Sequence, residues 1–494
     1  MAEQPQQQPQ AAGAAETSHV DSLIDSWDLD SDYRDLYRKG IAGIVQKAAG
    51  LDLNKITVNK QVVDDFISEI DQQLSAQINE ILHNEQFQKL ESSWRSLAYL
   101  VDNTDFRQNI KIEVLNTSKD DLLEDFQDCK DWQKSGLFKT VYRDQYNTFG
   151  GNPYGLMVSN FEFGPKTPDC ELLSEISRVS AVAKCPFLGG TASAMFDKNA
   201  ESFEGMPKLA EMYEIFEQPQ YTKWNAFRDS DDARYVGLAM PRFLLRKPYT
   251  VSDQDVKDFT FEEDVRLQNH ERYLWGNASF ALAGRMANSF ADFGWYNSIV
   301  GPNSGGTVPD LPLHQYEATG QTHTKIPTET LISEDMDVDL CNFGFIPLVM
   351  RKGSDNAAFF DAPSAKRVGS FPDTPEGKED ETRARLGMSL PYLMISCRLA
   401  HFLKVIWREN MGRVMDAEKM VGEINTWLKQ YCRQGTMDDN LAAKYPLKEV
   451  QVTAAPVPGK PGMYKSEIQM IPHFKLKGVE VELSMVGQFD PPPA

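Results

Sequence analysis

Between residues 61 and 101 the apolar side chains recur at steps of three and four. Val63, Ile67, Ile70, Leu74, Ile78 and Ile81 come first, then Phe87, Leu90, Trp94, Leu97 and Val101 in a strict 3-4-3-4 alternation. That spacing lies along one face of an α-helix and suits no strand. It predicts two long amphipathic helices joined near His83-Asn84. Two readings of the stripe stay open. It is an ordinary core-facing surface, or part of it belongs to a partner subunit.

Upstream, residues 1–18 are rich in Gln, Pro and Ala. So few apolar groups cannot offset the entropy of ordering, which predicts a disordered tail. Val20, Leu23, Ile24 and Trp27 then fall at i, i+3, i+4 and i+7, one face of a two-turn helix flanked by Asp21, Asp25 and Asp28. A second short helix is expected over 32–49. An isolated helix of this length is marginal in water, so the first must dock on the body or on a partner.

After residue 105 the period falls to two. Strands are expected at 110–115 and 156–158, with a helix over the acidic run 120–131 between them and another over 172–182. This alternation points to a mixed α/β fold. An apolar run at 233–246 holds Pro241, a buried helix is expected at 273–293 and a loop at 301–312. Further on come a strand at 345–349, a loop at 361–383 and helices at 388–409 and 416–432. The end reads as a β-meander whose last strand carries Val479, Val481, Leu483 and Met485 on one face. The expected organisation is therefore a tail at 1–18, a helical arm at 19–55, a helical segment at 56–105, an α/β middle domain at 106–320 and a C-terminal domain at 321–494.

Composition excludes more than it assigns. The 494 residues carry 51 basic and 72 acidic side chains, a net charge of −21. Such a chain repels a phosphate backbone, which disfavours nucleic-acid binding. No apolar stretch reaches the length of a membrane span, and a Gln- and Pro-rich start without a basic then apolar region is not expected to be a secretory leader. The six cysteines show no C-x-x-C spacing and read as reduced thiols of a cytoplasmic protein. The seven histidines are dispersed, without H-E-x-x-H or a Cys/His cluster, so no catalytic zinc is expected. His401, in an apolar helix, reads as a hydrogen-bonded core histidine. Gly301–Gly306 is Gly-rich but lacks a feeding strand and a following Lys-Ser/Thr, and reads as a tight structural loop. Arg351–Asn356 reads as a polar turn at a strand end. No catalytic residue, cofactor site or metal site is therefore expected, and the amphipathic and strand segments near the two ends favour an assembly protein.

Several dense local stretches carry a resemblance. They include Leu122–Phe126, Ser135–Lys139, Tyr221–Trp224, Asp232–Tyr235, Pro241–Arg246, Tyr273–Asn277, Lys325–Glu329, Met350–Phe360, Pro375–Glu379 and Leu390–Tyr392. In number and order they resemble the TssC/VipB family, the large sheath subunits of bacterial type VI secretion systems, from about residue 20 to 488. None is a catalytic signature.

The resemblance implies a contractile-tail-sheath-like structural protein, related in its sheath domain to phage tail and pyocin sheaths. It implies pairing with a small subunit, TssB (VipA), and stacking with other sheath protomers around an Hcp inner tube above a baseplate. Contraction expels the tube, and the AAA+ ATPase ClpV dismantles the contracted form. Under this reading Val20, Leu23, Ile24 and Trp27 meet the ATPase. Val63, Ile67, Ile70, Leu74 and Ile78 meet the small subunit, and Val479, Val481, Leu483 and Met485 form an inter-protomer strand. The rival reading is a cytosolic α/β hydrolase using carboxylates of the 301–360 region.

Overall fold

The structure is a computed structural model. It describes Arg34 and residues 60–487, except 130, 149, 198–199, 207–208, 252–258, 260, 266–269, 319, 411–416, 436–437, 457–463, 474, 477–478 and 481–482. The tail and the Val20–Trp27 helix expected from the sequence lie outside the described residues. The chain divides into two compact units, residues 1–81 with 249–263, and residues 82–248 with 264–494.

Of the first unit the description covers mainly helix α1, Lys60–Leu82, as its apolar period predicts. Tyr249 and Glu263 in the same unit hold each other, the Glu263 carboxylate accepting from the Tyr249 N–H and the Tyr249 carbonyl from the Glu263 N–H.

The second unit opens with α2, Glu85–Asp102, whose N-cap Asn84 accepts from the N–H groups of Gln86 and Phe87. Residues 110–118 follow without helix or ladder, correcting the strand expected at 110–115. Among the described residues they find no neighbouring strand: Ile112 packs on the core, Glu113 bonds the Tyr154 hydroxyl, and Val114 and Leu115 stay exposed. The acidic run forms α3, Lys119–Asp128, closed by a Ser118/Asp121 capping box.

A six-stranded sheet organises this unit. Its first three strands are β1 (Met157–Phe163), β2 (Phe187–Thr191) and β3 (Val236–Met240), mutually parallel. Helix α4, Thr167–Ala183, joins the first two; α5, Leu209–Phe216, and α6, Thr222–Asp229, lie between the second and third. Pro241 splits the apolar run, so that β4, Phe243–Leu244, leaves this sheet and pairs with β5, Trp275–Gly276. Helix α7, Ala278–Phe293, is largely buried, as expected. Then come β6 (Thr307–Val308), the hairpin of β7 (His314–Ala318) with β8 (Gln321–Lys325), and helix α8 (Glu334–Asn342). Strand β9, Phe345–Met350, returns parallel to β3, and β10, Ala357–Phe359, turns back antiparallel between it and β6. The order is β1-β2-β3-β9-β10-β6. The boundary expected at residue 320 therefore runs through one sheet.

Strands covered on both faces have no polar alternation, and Val236–Met240 is buried at every position. Val236, Leu238, Met240 and Phe345 pack towards α3, α4 and α6, with Leu173, Ile176 and Trp224. Ala239, Ile346 and Leu348 pack the other way, with Ala281, Leu282 and Met286 of α7. A Cβ on Gly190 would lie 2.3 Å from the Asn277 side chain that caps α7, so the strand approaches the helix only as glycine.

The expected loop at 361–383 is partly helical: α9 spans Pro375–Gly387, capped by Thr374 with proline in its first turn. Helix α10, Leu390–Asn410, serves two cores. Leu390, Leu393, Met394 and Cys397 face the sheet layer. Ile395, Leu399 and Leu403 face a third core with α11 (Ala417–Leu428) and the C-terminal strands. After α12, Asp439–Lys444, strands β11 (Leu447–Pro456) and β12 (Tyr464–Pro472) form a hairpin. Lys475–Leu476 (β13) pairs with Val479–Glu480 (β14), while Leu483–Gly487 (β15) pairs with β12. All six cysteines are free thiols. Among the described residues no helix is long and apolar enough to cross a membrane.

Candidate interaction surfaces

Helix α2 is mounted with its apolar face outwards. Its inner face is mostly polar and small. Ser92 Oγ donates to the Trp275 carbonyl at 2.7 Å, Ser96 and Leu100 are buried, and the Tyr99 ring sits 5.3 Å from that of Phe243. Glu91 receives Arg246 Nε at 2.9 Å and Arg95 Nε at 2.6 Å. The stripe of Phe87, Leu90, Trp94 and Val101 lies on the opposite side, with Leu90 55% and Trp94 65% exposed. Apolar residues at helical spacing normally face a core. A row of them facing away from one marks a docking face.

In α1, Ile67, Leu74 and Ile81 are exposed, and Ile70 and Ile78 half-buried. Val63 lies in this helix, but its side chain is outside the described residues.

At the C-terminus the strand order is β11-β12-β15, so among the described residues β15 is an outer strand. Met485 pairs with Ile468 and Leu483 with Met470. Val479 belongs to the separate β13–β14 pair, and Val481 is outside the description. Strand β1 ends the six-stranded sheet. Side chains take its carbonyls: Ser279 Oγ that of Ser159, Asn277 Nδ2 that of Phe161, and Lys119 Nζ that of Glu162.

Two segments of the 301–360 region are folded turns. The N–H groups of Gly301 and Gly306 donate to the carbonyls of Phe359 and Gly301. That loop is a folded corner, and a Cβ on Gly306 would lie 2.4 Å from the Phe359 carbonyl. Arg351–Asn356 turns the β9–β10 hairpin, with the Arg351 N–H on the Asn356 carbonyl. Among the described residues no group of three or more His, Cys, Asp or Glu could hold a metal ion. His401 is half-buried and hydrogen-bonded. Its Nε2 donates to the Ala183 carbonyl at 3.0 Å, and burial lowers its pKa to about 4.

One cluster escaped residue-by-residue reading. Arg242 grips Glu329, whose carboxylate is shielded from water and also accepts from the Phe203 N–H. His270 lies 3.2 Å from Glu329 through Nε2 and 2.7 Å from Glu204 through Nδ1. Lys325 Nζ contacts Glu204 at 2.9 Å and stands over the Tyr273 and Trp275 rings. Burial opposes ionisation of Glu329, but the bonds from Arg242 and His270 outweigh it and hold its pKa at about 2. The signal was present in the resemblance: the stretches 241–246, 273–277 and 325–329 meet here. The cluster is a clasp between segments, with both charges committed to each other.

Known proteins are similar along nearly the whole chain. Residues 64–366 match the family VipB, described as EvpB/VC_A0108, tail sheath N-terminal domain. Residues 379–489 match VipB_2, the tail sheath gpW/gp25-like domain of the same proteins. The chain is 36% identical over 431 residues to the type VI secretion system sheath protein TssC1 of Pseudomonas aeruginosa, covering 86% of this chain and 85% of that one.

Proposed function

Since the chain belongs to the VipB/EvpB family of type VI secretion tail-sheath proteins, we propose that it is the large subunit of a contractile sheath. It pairs with a small subunit of the TssB (VipA) type and polymerises in the cytoplasm with like pairs around an Hcp tube above a baseplate. It catalyses no reaction itself. The energy of contraction is a difference between two packings of the same subunits, and a two-state assembly needs no nucleotide in this chain.

The outward apolar face of α2 carries the reading. Leu90 and Trp94, more than half exposed at helical spacing, need an apolar cover that the described residues do not supply. The small subunit covers this face and the exposed apolar residues of α1. The outer strand β15 supplies a second link by strand addition between protomers.

Residues 20–28 are the proposed handle for a ClpV-type ATPase, through Val20, Leu23, Ile24 and Trp27. Leu23→Asp with Ile24→Asp should leave assembly intact and abolish ATPase capture in a pull-down.

Co-expression with the small subunit, followed by negative-stain microscopy, tests the whole reading. Tubules of two lengths and diameters are the expected result. A static scaffold gives filaments of one form, and a monodisperse chain that turns over a substrate would favour the hydrolase.

A further inference from the structure

An unassigned cavity of about 450 Å³ opens where the last turn of α7 meets α10 and the segment around α12. Trp295 comes from the first family match; Arg398, Phe402, Tyr431, Lys444 and Tyr445 come from the second. The cavity therefore sits at a domain seam, where ligand sites concentrate, and its size is ordinary for one. Two of its lining residues are cations and none is a carboxylate, in a chain of net charge −21.

Arg398 sets the chemistry. Its guanidinium carbon stands 4.5 Å from the Phe290 ring centre, 4.9 Å from Phe402 and 5.6 Å from Trp295. The guanidinium also bonds the Tyr296 hydroxyl, and stacking among rings leaves its remaining in-plane N–H groups for a further partner. Its Nε is buried and has no hydrogen-bond partner among the described residues. An unmade buried donor is unfavourable, and the partner that best fits a guanidinium edge is a planar carboxylate. Lys444, exposed in the lining, adds a second positive charge.

We propose that this cavity binds a carboxylate carried on a flat apolar group. The carboxylate meets Arg398 and Lys444, and the apolar part lies among Trp295, Phe402, Tyr431 and Tyr445. The same chemistry arrives either as an acidic side chain beside an apolar one on a neighbouring chain, or as a small free acid.

Calorimetric titration of the full chain with phenylacetate, against neutral phenylacetamide, tests it. Saturable binding of the acid is expected, at least roughly tenfold tighter than the amide. Arg398→Lys should weaken it by about tenfold, because the fork is lost although the charge stays. Lys444→Gln is an exposed change that spares the fold, as circular dichroism will verify, and should weaken binding about threefold. Equal affinity for acid and amide, or undiminished binding to the folded Lys444→Gln protein, overturns the proposal. Titration of assembled tubules separates the sources. Binding lost on assembly assigns the site to a neighbour's carboxylate, and binding retained assigns it to a free acid. Only that arm rests on the sheath reading, so a failure to form tubules counts against that reading and not against the site.

Discussion

Arg242 closes on Glu329 through two N–H···O bonds, Nε to Oε2 at 2.7 Å and Nη2 to Oε1 at 2.6 Å. The two residues join the end of β3 to the segment after β8. Removing one partner of a buried pair strands the other charge, at a cost of about 3–5 kcal/mol. Arg242→Ala and Glu329→Gln should each lower unfolding free energy by that order in urea titration. The pH dependence has a definite sign. Glu329 is held at about 2, below its ordinary 4.5, so its contribution is complete above 4.5 and is lost as pH falls towards 2. The loss amounts to roughly 3 kcal/mol and should be missing from Glu329→Gln. Equal acid sensitivity of the two proteins would refute the assignment.

This pair also shows what the sequence could and could not reveal. Helices α1 and α2 were legible to within about two residues, because a 3-4 apolar period has one structural meaning. Which way the stripe of α2 points was not legible, since that depends on Trp275, Phe243 and Arg246, far along the chain. Strand β2, Phe187–Thr191, with two glycines in five residues, showed no β pattern. Helix α9 was hidden because its charged residues leave no apolar stripe. Ile110–Leu115 alternates like a strand yet has no ladder partner among the described residues, and alternation is useless without a neighbour to bond. The clasp around Glu329 lay in three recognisable stretches, but a local motif does not say that Arg242, His270 and Lys325 converge.

A second carboxylate behaves oppositely. Asp337 is buried near Asp361 and Glu334, and burial, with those like charges, pushes its pKa up to about 7. Its Oδ1 has no hydrogen-bond partner among the described residues. A raised carboxylate pKa stabilises the fold below the ordinary value near 3.8, and that contribution is lost as pH rises through about 7. Asp337→Asn removes the ionisation. At pH 8 it should unfold at higher urea than the parent, by about 1–3 kcal/mol, and near pH 4 the difference should shrink. A gain that is independent of pH would show that ionisation is not the cause.

The two faces of α2 predict opposite outcomes. Leu90→Asp with Trp94→Asp changes exposed side chains, so the protomer should keep its stability within about 0.5 kcal/mol. The same change should abolish co-purification with the small subunit, because the apolar cover meets two charges. Ile70→Asp with Leu74→Asp in α1 should also abolish co-purification. Ser96→Leu, on the buried inner face, should instead destabilise the protomer by about 1–3 kcal/mol through overpacking. Pull-down beside thermal denaturation reads both effects. Intact pairing after Leu90→Asp with Trp94→Asp would place the small subunit elsewhere.

The C-terminal strands divide their labour. Leu447 and Val452 of β11 and Ile468 and Met470 of β12 fill the third core against α10 and α11. The β11–β12 hairpin thus carries the protomer's own packing. Strand β15 adds one more ladder, on the β12 edge. An outer strand with a free edge is a template for another chain. Deleting residues 478–494 should therefore leave the heterodimer soluble, with its gel-filtration volume almost unchanged, and should block tubules under the electron microscope. Met485→Pro probes the same link with one residue. A strand paired on both sides uses its N–H whichever neighbour it faces, and proline removes it. In the isolated protomer β15 has one described neighbour, so the variant should still fold and pair with the small subunit. Normal tubules from both variants would exclude β15 as a link between protomers. Loss of the heterodimer in either would show that the strand serves the chain's own fold.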